Sequence, residues 1–192
     1  MLKTEINISS TALVVIDLQK GITSHPAVPH DANLVIKNSA ALAKVFRVKN
    51  MPVFLVRVKP SADGKDSLHP ITDEKMWRQT PQPDWAEIVP QMGPEPDDFI
   101  VTKRQWGAFY GTELDLELRR RGINTIILCG IATNIGVEST ARFAYEFGYN
   151  QIFVEDAMSA RSIEEHNFTV TKTFPRIGLV RKTNEILTAL KH

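Results

Sequence analysis

Thr125-Ile126-Ile127-Leu128-Cys129-Gly130-Ile131-Ala132-Thr133-Asn134-Ile135-Gly136-Val137-Glu138-Ser139-Thr140 changes period in its middle. Ile126 to Cys129 is a short β-rich run bounded by Gly130. Beyond it Ile135, Ser139, Phe143 and Phe147 recur at helical spacing, with Thr133 or Asn134 suited to cap the new helix. A strand that breaks at a small residue and feeds a helix aims that helix's unpaired N–H groups, and its positive dipole end, at whatever sits above the strand. Such a turn suits a bound anion or a developing oxyanion. Any α/β protein has several turns of this kind, and most only connect.

Working outward, Thr11-Ala12-Leu13-Val14-Val15-Ile16 is a continuous apolar run ending at Asp17, as in a central parallel strand buried on both faces. Asp31 can cap a helix carrying Leu34, Ile36, Ala40, Ala41, Val45 and Val48, which ends at Asn50-Met51-Pro52. Val53 to Val58 reads as a second strand and Phe99-Ile100-Val101 as a short third. A helix over 112–121 stops at Gly122, strand four covers 123–129, and its helix runs over 134–147. Gln151-Ile152-Phe153-Val154 is a fifth strand ending at Glu155-Asp156. Ser162, with Glu165 three residues on, opens a helix through about Phe174. A weak sixth strand over 177–180 precedes a last helix over 183–190. Alternating strands and helices argue for a parallel sheet wrapped on both faces. No repeat or composition break divides 1–192, so one domain is expected. Between 59 and 97 the period is lost among prolines, and segments of that length are usually functional or disordered. Met76, Trp77 and Trp85 argue for order there, with short helices over 73–79 and 85–89. The segment reads equally as a cover over a site, a surface excursion or an oligomer contact.

Hydrophobic residues make up 43% and charged residues 23% of 192, enough for a sizeable core. The formal charge of +1 and the lack of a basic stripe argue against nucleic acid. One cysteine rules out an internal disulfide framework and suits a reducing compartment. No run is long and apolar enough for a membrane span and Met1 to Glu5 has no signal core, so a cytoplasmic location is expected.

In an open parallel sheet, ligands bind outside the carboxyl ends of the strands. Asp17, Lys103, the 130–136 turn and Glu155-Asp156 pass that filter. Burial at the rim raises a carboxyl pKa and a nearby lysine lowers it, so an Asp–Lys pair can move a proton near neutral pH. The plain alternatives are a turn-forming Asp17 and a solvated Lys103. Cys129, inside an apolar strand, reads as a small buried hydrophobe rather than a nucleophile. The histidines are dispersed, with neither D-x-H nor H-x-x-x-H spacing, so no metal is expected. No dinucleotide or P-loop glycine pattern is present, so no such cofactor is expected.

Three motifs together resemble the isochorismatase-like hydrolase superfamily, the cysteine-hydrolase family that includes nicotinamidases, carbamoylsarcosine amidases, ureidoacrylate amidases and isochorismatases. They are Ala12-Leu13-Val14-Val15-Ile16-Asp17-Leu18-Gln19, Thr102-Lys103-Arg104 with Ala108 to Asp115, and Cys129 to Arg142. Glu155-Asp156-Ala157-Met158-Ser159 adds the usual downstream turn. The resemblance implies a three-layer α/β/α sandwich around a six-stranded parallel sheet, a Rossmann-like arrangement, assembled as dimers or tetramers. It implies catalytic roles for Asp17 and Lys103 and a non-proline cis peptide at Ile131–Ala132, which in amidase members helps aim N–H groups into an oxyanion hole. Gln19, Trp106, Phe109, Ile131, Ala132, Thr133 and Asn134 are then the expected substrate contacts. For Trp106 and Phe109 the competing reading is core packing.

Amidase members carry their nucleophilic cysteine where Gly136 stands here, and a glycine forms no thioester. The family's metal-binding Asp-x-His after strand two is replaced by Val56-Arg57-Val58-Lys59-Pro60. Isochorismatases also lack the cysteine and work by acid catalysis on a vinyl ether, for which Asp17 and Lys103 suffice in outline. The run 133–139 nonetheless follows the amidase branch more closely. Two readings remain: a hydrolase acting on a small anionic enol ether, with Arg57, Lys59 or Arg104 meeting its carboxylates, or a non-catalytic descendant of an amidase that keeps the pocket to bind a small ligand.

Overall fold

In the computed structural model, which describes residues 5–73 and 82–191, Thr11–Ile16 forms β1 with every residue buried. Ala32–Val48 is a helix capped by Asp31, whose Oδ1 accepts the Leu34 N–H at 3.0 Å. It follows the short α1, Lys20–Thr23, and is therefore α2. Strands Val53–Val58 (β2) and Phe99–Lys103 (β3) lie to one side of β1. Helix Leu114–Arg120 (α3) leads to strand Thr125–Ile131 (β4) on the other side. Helix Glu138–Glu146 (α4), strand Asn150–Ser159 (β5), helices Ile163–Phe168 (α5) and Phe174–Ile177 (α6), strand Leu179–Arg181 (β6) and helix Thr183–Ala189 (α7) complete the chain. The order β3-β2-β1-β4-β5-β6 is one sheet with every pairing parallel.

Alternation along β1 divides the core. Leu13 and Val15 pack with Val35, Leu42 and Phe46 of α2 and Ile186 of α7. Ala12, Val14 and Ile16 pack with Leu118 of α3, Ala141 and Ala144 of α4 and Phe174 of α6. Because helices cover both faces, β1 cannot alternate polar with apolar residues, which is why it reads as an unbroken apolar run. This is the three-layer arrangement expected.

Several boundaries differ from expectation. β4 does not stop at Gly130; it continues to Ile131, pairing Gly130 with Met158 and Ile131 with Ser159. β5 likewise runs past Glu155-Asp156 to Ser159. The helix expected over 134–147 opens as a π-helical turn, Thr133–Val137, before α4, and neither Thr133 nor Asn134 caps it with a side chain. The helix after Ser162 has its capping box but passes through a second π-helical stretch, Thr169–Thr173. The helix expected over 85–89 is not formed. Trp85 and Glu87 carbonyls accept the Gly21 and Lys20 N–H groups instead, and Ile88 bridges Gln19. The helix expected over 73–79 falls almost entirely on residues outside the described ones. Among the described residues no helix is long and apolar enough to cross a membrane.

Candidate active site

The strand order reverses between β1 and β4, and a crevice at such a switch point is where this architecture binds ligands. Two backbone features shape it. Asp17 adopts a left-handed conformation with φ of 53°, uncommon for a residue with a side chain. Gly130 has φ of 121°, and a Cβ there would lie 2.0 Å from the Ile16 carbonyl oxygen, so only glycine lets the two strand ends approach.

Lys103, the last residue of β3, reaches past β2 to place Nζ 2.7 Å from Asp17 Oδ2 at the end of β1. The lysine is 1% exposed and the aspartate 6%, so the pair is withdrawn from water. Nζ also donates to the Trp106 carbonyl. Burial raises the Asp17 pKa from 3.8 to about 6, against the opposing pull of the Lys103 ammonium. The other carboxylate oxygen, Oδ1, is buried without a hydrogen-bond partner. The Val58 N–H bonds Gln19 Oε1 at 2.8 Å and also lies close enough to the Asp17 carboxylate to help hold its pKa down.

Gly136 completes the group. A Cβ at this position would lie 3.0 Å from Asp17 Oδ2, 3.2 Å from Lys103 Nζ and 2.9 Å from Ile16 Cγ2. Asp17, Lys103 and Gly136, far apart in the chain, therefore meet at one point. The turn that carries Gly136 follows a non-proline cis peptide between Ile131 and Ala132, where the resemblance places one. Ala132 O accepts the Ile135 and Val137 N–H groups, the second closing the π-helical turn. Thr140, which the sequence reading left out, ties this turn to the segment after β3. Its hydroxyl donates to Gly136 O at 2.7 Å and accepts from Ala108 N at 3.1 Å. Asn134 Oδ1 is buried and lacks a donor, whereas Thr133 Oγ1 is 2.9 Å from His166 Nδ1.

Other expected contacts are placed differently. Gln19 is fully buried, with Nε2 donating to Val58 O at 3.0 Å and Trp85 O at 3.3 Å. With Oε1 accepting the Val58 N–H, it is a fully buried staple joining β1, β2 and the 82–92 segment, withdrawn from the crevice surface. Phe109, 4% exposed, meets the Phe147 ring edge-on and lies tilted against Tyr149, so packing accounts for it. Trp106 is 52% exposed and contributes its carbonyl to Lys103. Arg57 donates to Thr102 Oγ1 and Arg104 pairs with Asp66, so two of the three cations considered for substrate carboxylates have protein partners. Cys129 faces the opposite layer, packed with Leu13, Val15 and α2. Burial pushes its thiol up to about 12, so it carries almost no thiolate near neutral pH.

The fold also gathers three side chains that no local spacing announced. His30, Glu155 and His166 bring one ligand-type atom each to within 4.8 Å of one another. The expectation of no metal rested on spacing along the chain, and these residues come from a loop, a strand and a helix.

Comparison with known proteins gives the family and the fold. The chain is 53% identical over 189 residues to the isochorismatase family protein YwoC of Bacillus subtilis (strain 168), covering 97% of each. Its structure superposes with a TM-score of 0.94 on an isochorismatase family protein from Burkholderia thailandensis, at 45% identity and 98% coverage of both. At 29% identity, over 79% of this chain and 69% of the relative, it is similar to the ureidoacrylate amidohydrolase RutB of Variovorax paradoxus (strain S110). The sequence pattern of the isochorismatase domain matches residues 11–185, and with a six-stranded parallel sheet carrying Asp17 and Lys103 at its switch point the chain belongs to the isochorismatase family of hydrolases.

Proposed function

We propose that the protein hydrolyses a small anionic enol ether of the isochorismate type, with Asp17 as the proton donor. The observation that carries this reading is the division of labour on the Asp17 carboxyl. Oδ2 accepts from the Lys103 ammonium, while Oδ1 is buried, unpartnered and free to hold the proton. With a pKa of about 6, roughly a tenth of the molecules keep that proton at pH 7, by the tenfold-per-unit rule.

Oδ1–H delivers its proton to the terminal carbon of the vinyl ether, leaving an oxocarbenium ion on the ether carbon. Water adds there, its proton returns to the Asp17 carboxylate, and the hemiketal collapses to a ketone and an alcohol. Lys103 keeps the carboxylate form soluble in its buried site and lowers the cost of losing the proton. The N-terminal end of the Thr133–Val137 turn suits the substrate's anionic end, and Asn134 Oδ1, buried without a donor, suits a substrate hydroxyl.

A thioester route of the amidase kind has no support in this chain. Position 136 has no side chain, and the single thiol sits in the other layer of the core with a pKa of about 12. Release of pyruvate from isochorismate by wild type, Asp17→Asn and Cys129→Ser tests the reading. Asp17→Asn is expected to abolish turnover and Cys129→Ser to leave it nearly intact; the reverse pattern would end the proposal. Binding of isochorismate with no turnover by any form would favour the ligand-binding descendant.

A further inference from the structure

Glu155, His30 and His166 lie on three elements that backbone hydrogen bonds and a helix cap hold in place. β4 advances from Leu128 to Gly130 while β5 advances from Phe153 to Met158, so Glu155 sits on an arch of β5 that leaves the ladder. The loop carrying His30 is pinned to the end of that strand. Val28 and Ala160 exchange two backbone hydrogen bonds of 3.0 and 2.9 Å, and the His30 N–H donates to Ser159 Oγ at 3.2 Å. His166 stands on α5, whose start is held by the Ser162–Glu165 capping box. Its ring is 2% exposed and meets the His30 ring edge-on with centroids 5.8 Å apart. His30 Nε2 lies 3.5 Å from Glu155 Oε2.

The orientation of His166 is the telling detail. Its Nδ1 faces Thr133 Oγ1 at 2.9 Å, inside the core. The Thr133 hydroxyl both donates and accepts, and in the tautomer whose Nδ1–H donates to it the other ring nitrogen carries a lone pair, the usual second contact of a metal ligand. Two imidazoles and one carboxylate form a donor set suited to borderline divalent transition ions, and poorly suited to Mg2+ or Ca2+, which prefer oxygen. Three ligands from the chain leave at least one position open to water or a small ligand.

We propose that His30, Glu155 and His166 form a binding site for one divalent transition-metal ion, with Zn2+ the natural probe. The ligand atoms, now within 4.8 Å of one another, draw together by rotamer adjustment of His30 and Glu155, which are about a fifth exposed. Lys182 Nζ, 3.4 Å from Glu155 Oε1, competes for the carboxylate and is displaced on binding. Through Thr133 the ion would brace the turn that follows the Ile131–Ala132 peptide. This assignment does not depend on the proposed chemistry of Asp17.

The test is metal content. The full chain is dialysed against micromolar free Zn2+, then against metal-free buffer, and its zinc is measured. Wild type is expected to retain about one ion per chain, with Mg2+ in excess failing to displace it. His30→Asn and Glu155→Gln, both at partly exposed positions and checked for fold by circular dichroism, are each expected to bind at least tenfold more weakly. Thr133→Val keeps all three ligands and is expected to lose roughly 10–100-fold in affinity through His166 alone. Wild type that retains no zinc overturns the proposal, as does equal retention by wild type and the two ligand variants, or displacement by Mg2+.

Discussion

Replacing Gly136 by alanine would drive a methyl group against the buried ion pair. The added carbon would lie 2.9 Å from Ile16 Cγ2, 3.0 Å from Asp17 Oδ2 and 3.2 Å from Lys103 Nζ, all tighter than ordinary contact. None of the three neighbours is free to leave. Ile16 is fully buried, and Lys103 is tied to both Asp17 and the Trp106 carbonyl. Overpacking of this kind costs about 1–3 kcal/mol, offset by the ~0.4–1 kcal/mol that alanine gains over glycine by restricting the unfolded chain. The net loss is about 1–2 kcal/mol, or roughly 2–8 °C in melting temperature for a chain of this size. Gly107 is the control. A Cβ there meets nothing closer than the Ser139 carbonyl at 3.4 Å, so Gly107→Ala should be neutral or stabilising. Calorimetry of both variants should rank Gly107→Ala at or above wild type and Gly136→Ala below it. Turnover by Gly136→Ala should fall as well, because the methyl spreads the pair. A Gly136→Ala protein as stable as Gly107→Ala would mean that the space beside Asp17 is open, and the reasoning would fail.

Stability should also report Asp17 directly. Its folded pKa of about 6 lies above the ordinary 3.8, so between those values the unfolded chain has released a proton that the folded chain keeps. Stability from this group is therefore complete below pH 4 and falls by about 3 kcal/mol as pH rises to 6, visible as a wild-type minus Asp17→Asn difference in denaturant titrations. A difference that grows with pH would contradict the shift. Lys103→Met removes the cation that holds the Asp17 pKa down, so the carboxyl midpoint, followed by carbon NMR, should move upward; a downward move would be inconsistent with the pairing. Cys129, buried with its pKa raised to about 12, should react with an alkylating reagent only in denaturant, and fast labelling of the native protein would place the thiol elsewhere.

What the sequence disclosed, and what it concealed, follows from how local each cause is. β1 was plain because burial on two faces leaves an unbroken apolar run, and Asp17 stood out at its end. The end of β4 was hidden. Gly130 does not stop the strand but lets it pass close to Ile16, and that close approach is a property of the partner strand. The π-helical start at Thr133 was hidden for a similar reason. Thr133 looks like a cap in sequence, but its hydroxyl is engaged by His166 on α5. Gln19 followed a motif and looked available for a substrate, while its three hydrogen bonds go to β2 and to Trp85, which no local pattern reveals. Trp85 to Val89 failed as a helix because its carbonyls serve Lys20 and Gly21 across a long loop. The grouping of His30 with Glu155 and His166 was illegible for the strongest version of the same reason, since only the finished sheet brings their elements together.

The central claim is that a carboxyl with its proton on an unpartnered oxygen, beside a lysine and with no thiol in reach, does the chemistry. The pH dependence of kcat/KM for isochorismate hydrolysis tests it most directly. Because the reactive form is the protonated acid, the rate should be level below about pH 6 and fall tenfold per unit above it, unchanged in Cys129→Ser. A rate that climbs through pH 7 and 8, as a thiolate or a general base would give, contradicts the account.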